Sequence, residues 1–234
     1  MKFVETASAA LALCWSGASL AGTTANLGAV SEYLLRGIEG SHGLAVQGGL
    51  DWTGESGVYA GTWASTLGGP AKVGDFELDV YAGWAGKLGR VTLDAGLVYY
   101  SYPDDERHPD YDYPEVYAEL GYGVLQLQLY YAADVYGEAN QAAADLAGKD
   151  NDGLYAGAIG TFPLSATLKL VAQAGRSSGD GVEVAYGDSY TDYGLSLVQK
   201  FDGGVAFTIG LYDTTLAGDG GVKAVAGLKA TFDL

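Results

Sequence analysis

The 234-residue sequence predicts an all-β protein, a transmembrane antiparallel up-and-down β-barrel of twelve strands with short periplasmic turns and longer extracellular loops. Three observations carry that expectation. Apolar and polar residues alternate along segment after segment. The connections between segments alternate between short and long. No outward position assigned on any segment is charged, although 18% of the chain is. Successive side chains of a strand point to opposite faces, so alternation marks a strand with one apolar and one wet side. A lysine or arginine facing lipid at mid-bilayer would cost about 2–4 kcal/mol, whereas a soluble barrel would carry its charges outside.

Taken in order, the segments are 27–35, 44–53, 58–65, 76–84, 91–101, 115–122, 125–131, 154–162, 167–174, 192–199, 205–211 and 222–234. Most are close to the roughly 9–11 residues that a tilted membrane strand needs. The clearest is 76–84, where Phe76, Leu78, Val80, Ala82 and Trp84 share one face and Glu77, Asp79, Tyr81 and Gly83 the other. In 27–35, Leu27, Ala29, Tyr33 and Leu35 fall on one side, imperfectly, and 154–162 is apolar on both. Short connections at 54–57, 86–89, 123–124, 163–165 and 202–204 interleave with long ones at 66–75, 102–114, 133–152, 176–191 and 213–221, and the first, 37–43, is intermediate. A two-ended barrel produces this rhythm. With both termini on the short-turn side, the apolar-face aromatics sort by depth. Trp52, Trp84, Tyr122, Phe162 and Phe232 fall at the lower interface, and Phe76, Tyr99, Tyr131 and Tyr193 at the upper. Aromatic girdles at both interfaces belong to membrane barrels. An even strand number and full closure leave no open edge in lipid.

Composition agrees with many short strands and turns: Gly 37, Tyr 18 and Pro 5. A net charge of −17 argues against nucleic acid or an anionic membrane surface as a partner, since either requires a basic patch. Residues 1–21 read as a secretory leader, with a small and apolar run, the sole cysteine Cys14, and a small-x-small cleavage site at Ser19-Leu20-Ala21. The mature barrel, 22–234, then holds no cysteine and no 18-residue apolar run that would make a membrane helix. The closing Phe232-Asp233-Leu234 carries the alternation to the last residue and resembles the C-terminal strand signal read by the outer-membrane assembly machinery.

Several motifs resemble the TorF porin family, a proteobacterial group of conserved hypothetical outer-membrane proteins. They are Ser31-Glu32-Tyr33 with Arg36-Gly37-Ile38, Gln47-Gly48-Gly49 with Asp51-Trp52, and Ser56-Gly57-Val58-Tyr59-Ala60-Gly61-Thr62-Trp63-Ala64-Ser65. Further on stand Glu77-Leu78-Asp79-Val80-Tyr81-Ala82-Gly83, Tyr99-Tyr100-Ser101-Tyr102-Pro103 and Glu115-Val116-Tyr117. The resemblance covers the first half well and the second half mainly by strand pattern. It implies a barrel in the outer membrane of a Gram-negative bacterium, in contact with outer-membrane lipid and passing small hydrophilic solutes.

Little in the sequence points to catalysis, and no cofactor or metal is expected. The histidines, His42 and His108, lie in loops, and Ser41 beside His42 points away from it, so a membrane phospholipase would lack its Ser–His pair. Asp75, Glu77 and Asp79, or Glu115 and Glu119, could form paired carboxylates for glycoside chemistry, but the barrel pattern favours a wet lumen wall for them. The acidic loop 103–114 lacks a calcium-loop spacing. The inward candidates are Gln47, Asp51, Glu77, Asp79, Tyr81, Arg90, Asp94, Tyr100, Glu115, Tyr117, Glu119, Gln126, Gln128, Lys169, Gln173, Lys223 and Lys229. Acids gather on the earlier strands and lysines on the later ones, which predicts a transverse field and a preference for cations or zwitterions. A non-conducting barrel that binds or scaffolds through acidic loops is the competing expectation.

Overall fold

The computed structural model describes residues 21–68, 74–103, 111–218 and 221–234. Residues 1–20 of the expected leader and much of the acidic loop, His108 included, lie outside them. The elements are β1 Gly22–Val30, β2 Leu34–Leu35, β3 Ile38–Glu39, β4 Ala45–Thr53, β5 Val58–Thr66, β6 Phe76–Leu88, β7 Val91–Ser101, β8 Tyr113–Tyr122 and β9 Leu125–Ala132. Helix α1 (Gly137–Ala147), β10 Gly153–Pro163, β11 Leu168–Ser178, α2 (Asp180–Tyr186), β12 Tyr190–Lys200, β13 Val205–Thr214 and β14 Lys223–Asp233 complete the chain. Twelve strands close a barrel in sequence order, each antiparallel to its neighbours, with β14 returning to β1 and β2–β3 left out of the wall. Closure runs from Thr24↔Asp233 to Val30↔Gly227, so no edge is open to lipid.

The outer face is apolar. Leu27, Leu50, Val80, Leu97, Leu129 and Leu195 are exposed there, as are Trp52, Trp84, Tyr122, Phe162 and Phe232 and, toward the other end, Tyr99, Tyr131 and Tyr193. The inner face is where polar residues are buried. Along β6, Glu77, Asp79 and Tyr81 are buried while Val80, Ala82 and Trp84 are exposed, as the alternation predicts. β11 and β13 run further toward the long-loop end than their segments. The extensions put Arg176 on the outer face beyond the Ala174↔Tyr193 pair, and Asp213 directly opposite Tyr193. The Tyr193 hydroxyl donates to Asp213 Oδ2 at 3.1 Å. These outward charges sit at or above the aromatic level, where water can reach them.

The abundance of glycine and tyrosine has a packing cause. Tyr81 faces Gly61 across the β5–β6 pair, Tyr59 faces Gly83, and Tyr117 faces Gly96 across β7–β8. A Cβ on Gly96 would come within 2.5 Å of the Tyr117 hydroxyl and 2.6 Å of the Ala82 carbonyl oxygen. The phenol rings therefore lie over glycines along the inner wall, filling the space a side chain would take.

Two other boundaries shift with consequences for the lumen. The first wall strand ends at Val30 rather than running to Leu35: Ser31 exchanges hydrogen bonds with Ala226, and the chain then leaves the wall. Tyr33 and Leu35, expected on the wall, belong instead to an inward hairpin. The turn after β6 is Gly89-Arg90 rather than 86–89, because Leu88 still pairs with Val91 and Gly89 takes the positive φ of 65°. The long connections 133–152 and 176–191 contain α1 and α2.

Candidate pore and its inserted hairpin

The segment after β1 folds into the lumen as a hairpin of two short strands, Leu34↔Glu39 and Leu35↔Ile38. Its tip is Arg36-Gly37, with φ of 50° and 81°, the positive values a tight hairpin turn requires at both central positions. Side chains anchor it, since strands this short have little stability of their own. The Tyr33 hydroxyl donates to Glu77 Oε1 at 2.8 Å, and Ser41 Oγ accepts from the Tyr33 N–H at 2.8 Å. At the base, Lys223 pairs with Glu39 and lies 3.9 Å from Glu32.

The tip reaches the far wall. Arg36 Nη1 and Nη2 donate to Oε1 and Oε2 of Glu115 at 2.8 and 2.7 Å. The guanidinium carbon lies 4.9 Å from the Tyr130 ring centre and 4.6 Å from that of Tyr155. Gly37 fits where only a glycine can, since its Cβ would sit 2.9 Å from Asp192 Cβ and 3.3 Å from Thr214 Cβ. The hairpin thus crosses from β6 to β8–β10 and β12–β13. Beside Arg36 a space of about 30 Å³ remains, room for about one water.

Most sequence-predicted residues meet on the inner wall. Glu115 also accepts from the Tyr100 hydroxyl at 2.9 Å. Glu119 accepts from the Tyr130 hydroxyl at 2.7 Å, from Gln128 Nε2 at 2.8 Å and from Gln126. Asp94 accepts from the Tyr59 hydroxyl, which also contacts the Tyr117 hydroxyl, and Asp51 accepts from Tyr81 and, at 3.4 Å, from Asn26. Asp79 is fully buried, and its carboxylate oxygens have no hydrogen-bond partner among the described residues. Gln47 lies 3.4 Å from Ser65 Oγ. Lys169, Gln173, Lys223 and Lys229 have the inward parity of β11 and β14, half-buried. Arg90 is the exception. It sits exposed in the turn, its guanidinium 5.3 Å from the ring of outward-facing Tyr122, because β6 continues past the expected turn. Of the paired carboxylates, Glu77, Glu115 and Glu119 are held by tyrosines, glutamines and Arg36; Ser41 donates to the Gly43 carbonyl; and His42 is exposed, 3.1 Å from Glu39.

Above the hairpin, α1 and α2 cover the mouth. Asn140 Nδ2 donates to Asn151 Oδ1 at 2.7 Å and to the Gly181 carbonyl at 2.8 Å, and Lys149 Nζ donates to Glu183 Oε2 at 2.6 Å. That hydrogen bond and the lysine's charge hold the Glu183 carboxyl below its ordinary pKa. Between the helices and the hairpin lies a cavity of about 340 Å³, lined by Tyr33, Glu77, Tyr102, Tyr111, Tyr136 and Tyr186 among others. Sequence reasoning missed Arg36 as a site residue. Its signal is an Arg-Gly pair between the apolar Leu34-Leu35 and Ile38.

The fold is a closed twelve-strand barrel with an acid- and tyrosine-lined interior crossed by an inserted hairpin, and it is similar to solved outer-membrane porins. The model of a family described as bacterial proteins of unknown function (Gcw_chp) matches residues 16–231, and the chain belongs to that family. No curated protein matches the sequence. Among solved structures, the barrel is similar to the KdgM porin, with a TM-score of 0.58 and 9% identity over 89% of this chain and 99% of that one. KdgM has also been solved in complex with disordered oligogalacturonate. The NanC porin gives 0.55 at 14% identity, covering 91% of this chain and 99% of that one. The COG4313 outer membrane channel from Pseudomonas putida F1 gives 0.52 at 11%, covering 93% and 97%. At these identities the likeness is one of fold.

Proposed function

We propose that the protein is a porin-like channel of the Gram-negative outer membrane, its leader 1–21 removed, passing small hydrophilic solutes by passive diffusion with a preference for cations or zwitterions. The observation that carries this reading is the inner wall itself. Asp51, Glu77, Asp79, Asp94, Glu115 and Glu119 face a lumen whose basic groups are Arg36, paired with Glu115, and lysines on the opposite side. Low-dielectric walls focus such a field and enrich cations within it. The porin folds among the solved structures support the channel class, the apolar outer belt supports the lipid location, and the motifs quoted above support kinship with the TorF porins. Liposome swelling tests the solute preference. Vesicles carrying refolded protein should swell faster in lysine-sized cations and betaine-like zwitterions than in an anion of the same size; equal rates would count against the preference. The hairpin favours a second reading, a barrel closed in its resting state, in which swelling rises only when Arg36 is removed.

A further inference from the structure

The contacts around Arg36 describe a binding site. Glu115 presents both carboxylate oxygens to two guanidinium nitrogens, and the Tyr100 hydroxyl donates to the same carboxylate. Two tyrosine rings lie within cation–π distance. A planar fork of donors meeting a carboxylate edge-on, flanked by aromatic rings, suits a guanidinium and not a compact ammonium.

The box belongs to the wall and not to the hairpin. Glu115, Tyr130 and Tyr155 stand on β8, β9 and β10, consecutive strands of the barrel, with Tyr130 opposite Tyr155 in register. Tyr130 is held independently, stacked on Tyr117 at 5.3 Å and donating to Glu119. The site therefore persists if the occupant leaves. The occupant is poorly placed by comparison. Arg36 is a non-glycine residue at φ 50°, a conformation that side chains disfavour, at the tip of a hairpin with two-residue strands.

We propose that Glu115, Tyr130 and Tyr155 form a guanidinium-binding site in the lumen, filled at rest by Arg36, and that guanidinium-bearing solutes compete with Arg36 for it. The inference deepens the channel reading and rests on it for its role in transport. Because a tethered occupant acts at an effective concentration in the mM range or above, free solute competes only at about mM levels.

The test uses the refolded full chain in detergent, titrated calorimetrically with methylguanidinium, and with methylammonium as the comparison. Arg36→Ala should bind methylguanidinium about tenfold or more tightly than the wild type does, as expected when a charge-assisted bidentate competitor is removed. It should prefer methylguanidinium to methylammonium, and adding Glu115→Gln should abolish the gain. Arg36→Gln, which keeps a polar side chain at the tip, provides the same readout if the alanine variant does not refold. No gain in affinity in the refolded variant, or equal binding of both cations, overturns the site. Bilayer recording separates this from the channel reading: binding without conductance in any variant upholds the box and overturns the channel, whereas conductance without binding does the reverse.

Discussion

The two sides of the lumen differ in chemistry. From β4 to β8 the inner face carries carboxylates, most of them held by tyrosine hydroxyls or glutamine amides. From β10 to β12, toward the short-turn end, the same face carries Ile159, Val171 and Val198, all buried and packed together with Ala206. On the first side, tyrosines laid over glycines supply hydrogen bonds that buried carboxylates such as Asp51 and Asp94 require, and Asp79 stands apart without one. The second is closed by ordinary apolar packing. The inserted hairpin spans the difference, with Tyr33 on the acidic side and Gly37 against β12 and β13. The barrel thus gathers most of its inward carboxylates on one wall, and the proposed cation preference rests on that wall.

Substitutions on the two faces of one strand should separate wall from lumen most strongly. Val80 is half-exposed on the outer face and Asp79 lies buried beside it on the inner. Val80→Arg should cost about 2–4 kcal/mol in lipid and prevent recovery of a heat-modifiable folded band on gels. Gly96→Ala should come next. The added methyl meets the Tyr117 hydroxyl and a backbone oxygen, an overpacking worth about 1–3 kcal/mol, readable as a lower urea midpoint in refolding titrations. Asp79→Asn should leave the folded band intact and lower the cation-to-anion permeability ratio, and Glu77→Gln should act in the same direction. If Val80→Arg and Asp79→Asn behave alike, the faces are misassigned. The smallest effect concerns the helical cap. Glu183's carboxyl is held below its ordinary value by Lys149, so the latch contributes fully above the free carboxylate pKa of about 4.3 and is lost as pH falls through the lower folded value. Protection of the α1 amides, corrected for the intrinsic exchange rate at each pH, should therefore fall at acidic pH in the wild type and be low at all pH values in Lys149→Met.

What could be read from the sequence follows the same division. Glu77, Asp79, Glu115 and Glu119 were legible because a charge alternating with apolar residues in a membrane strand has only one place to go. Ile159, Val171 and Val198 were not, since apolar residues on both faces erase the alternation that distinguishes lumen from lipid. The twelve-strand closure was readable from the rhythm of turns, and the helices hidden in the long connections were not. Arg36 escaped because it acts through a long-range pairing, 79 residues from Glu115. The turn that carries it is a two-residue Arg-Gly, where a hairpin is more readily recognised from Asn-Gly. Arg90 is misplaced for the opposite reason, a local extension of β6 that moves the turn from 86–89 to Gly89-Arg90.

The central claim is that the acidic wall governs what passes. Single-channel recording of the refolded protein in planar bilayers, under a potassium chloride gradient, tests it most directly. The account predicts a reversal potential of the sign that potassium permeation produces, reduced in Asp79→Asn. A reversal potential of the opposite sign, or one unchanged by that substitution, would contradict it.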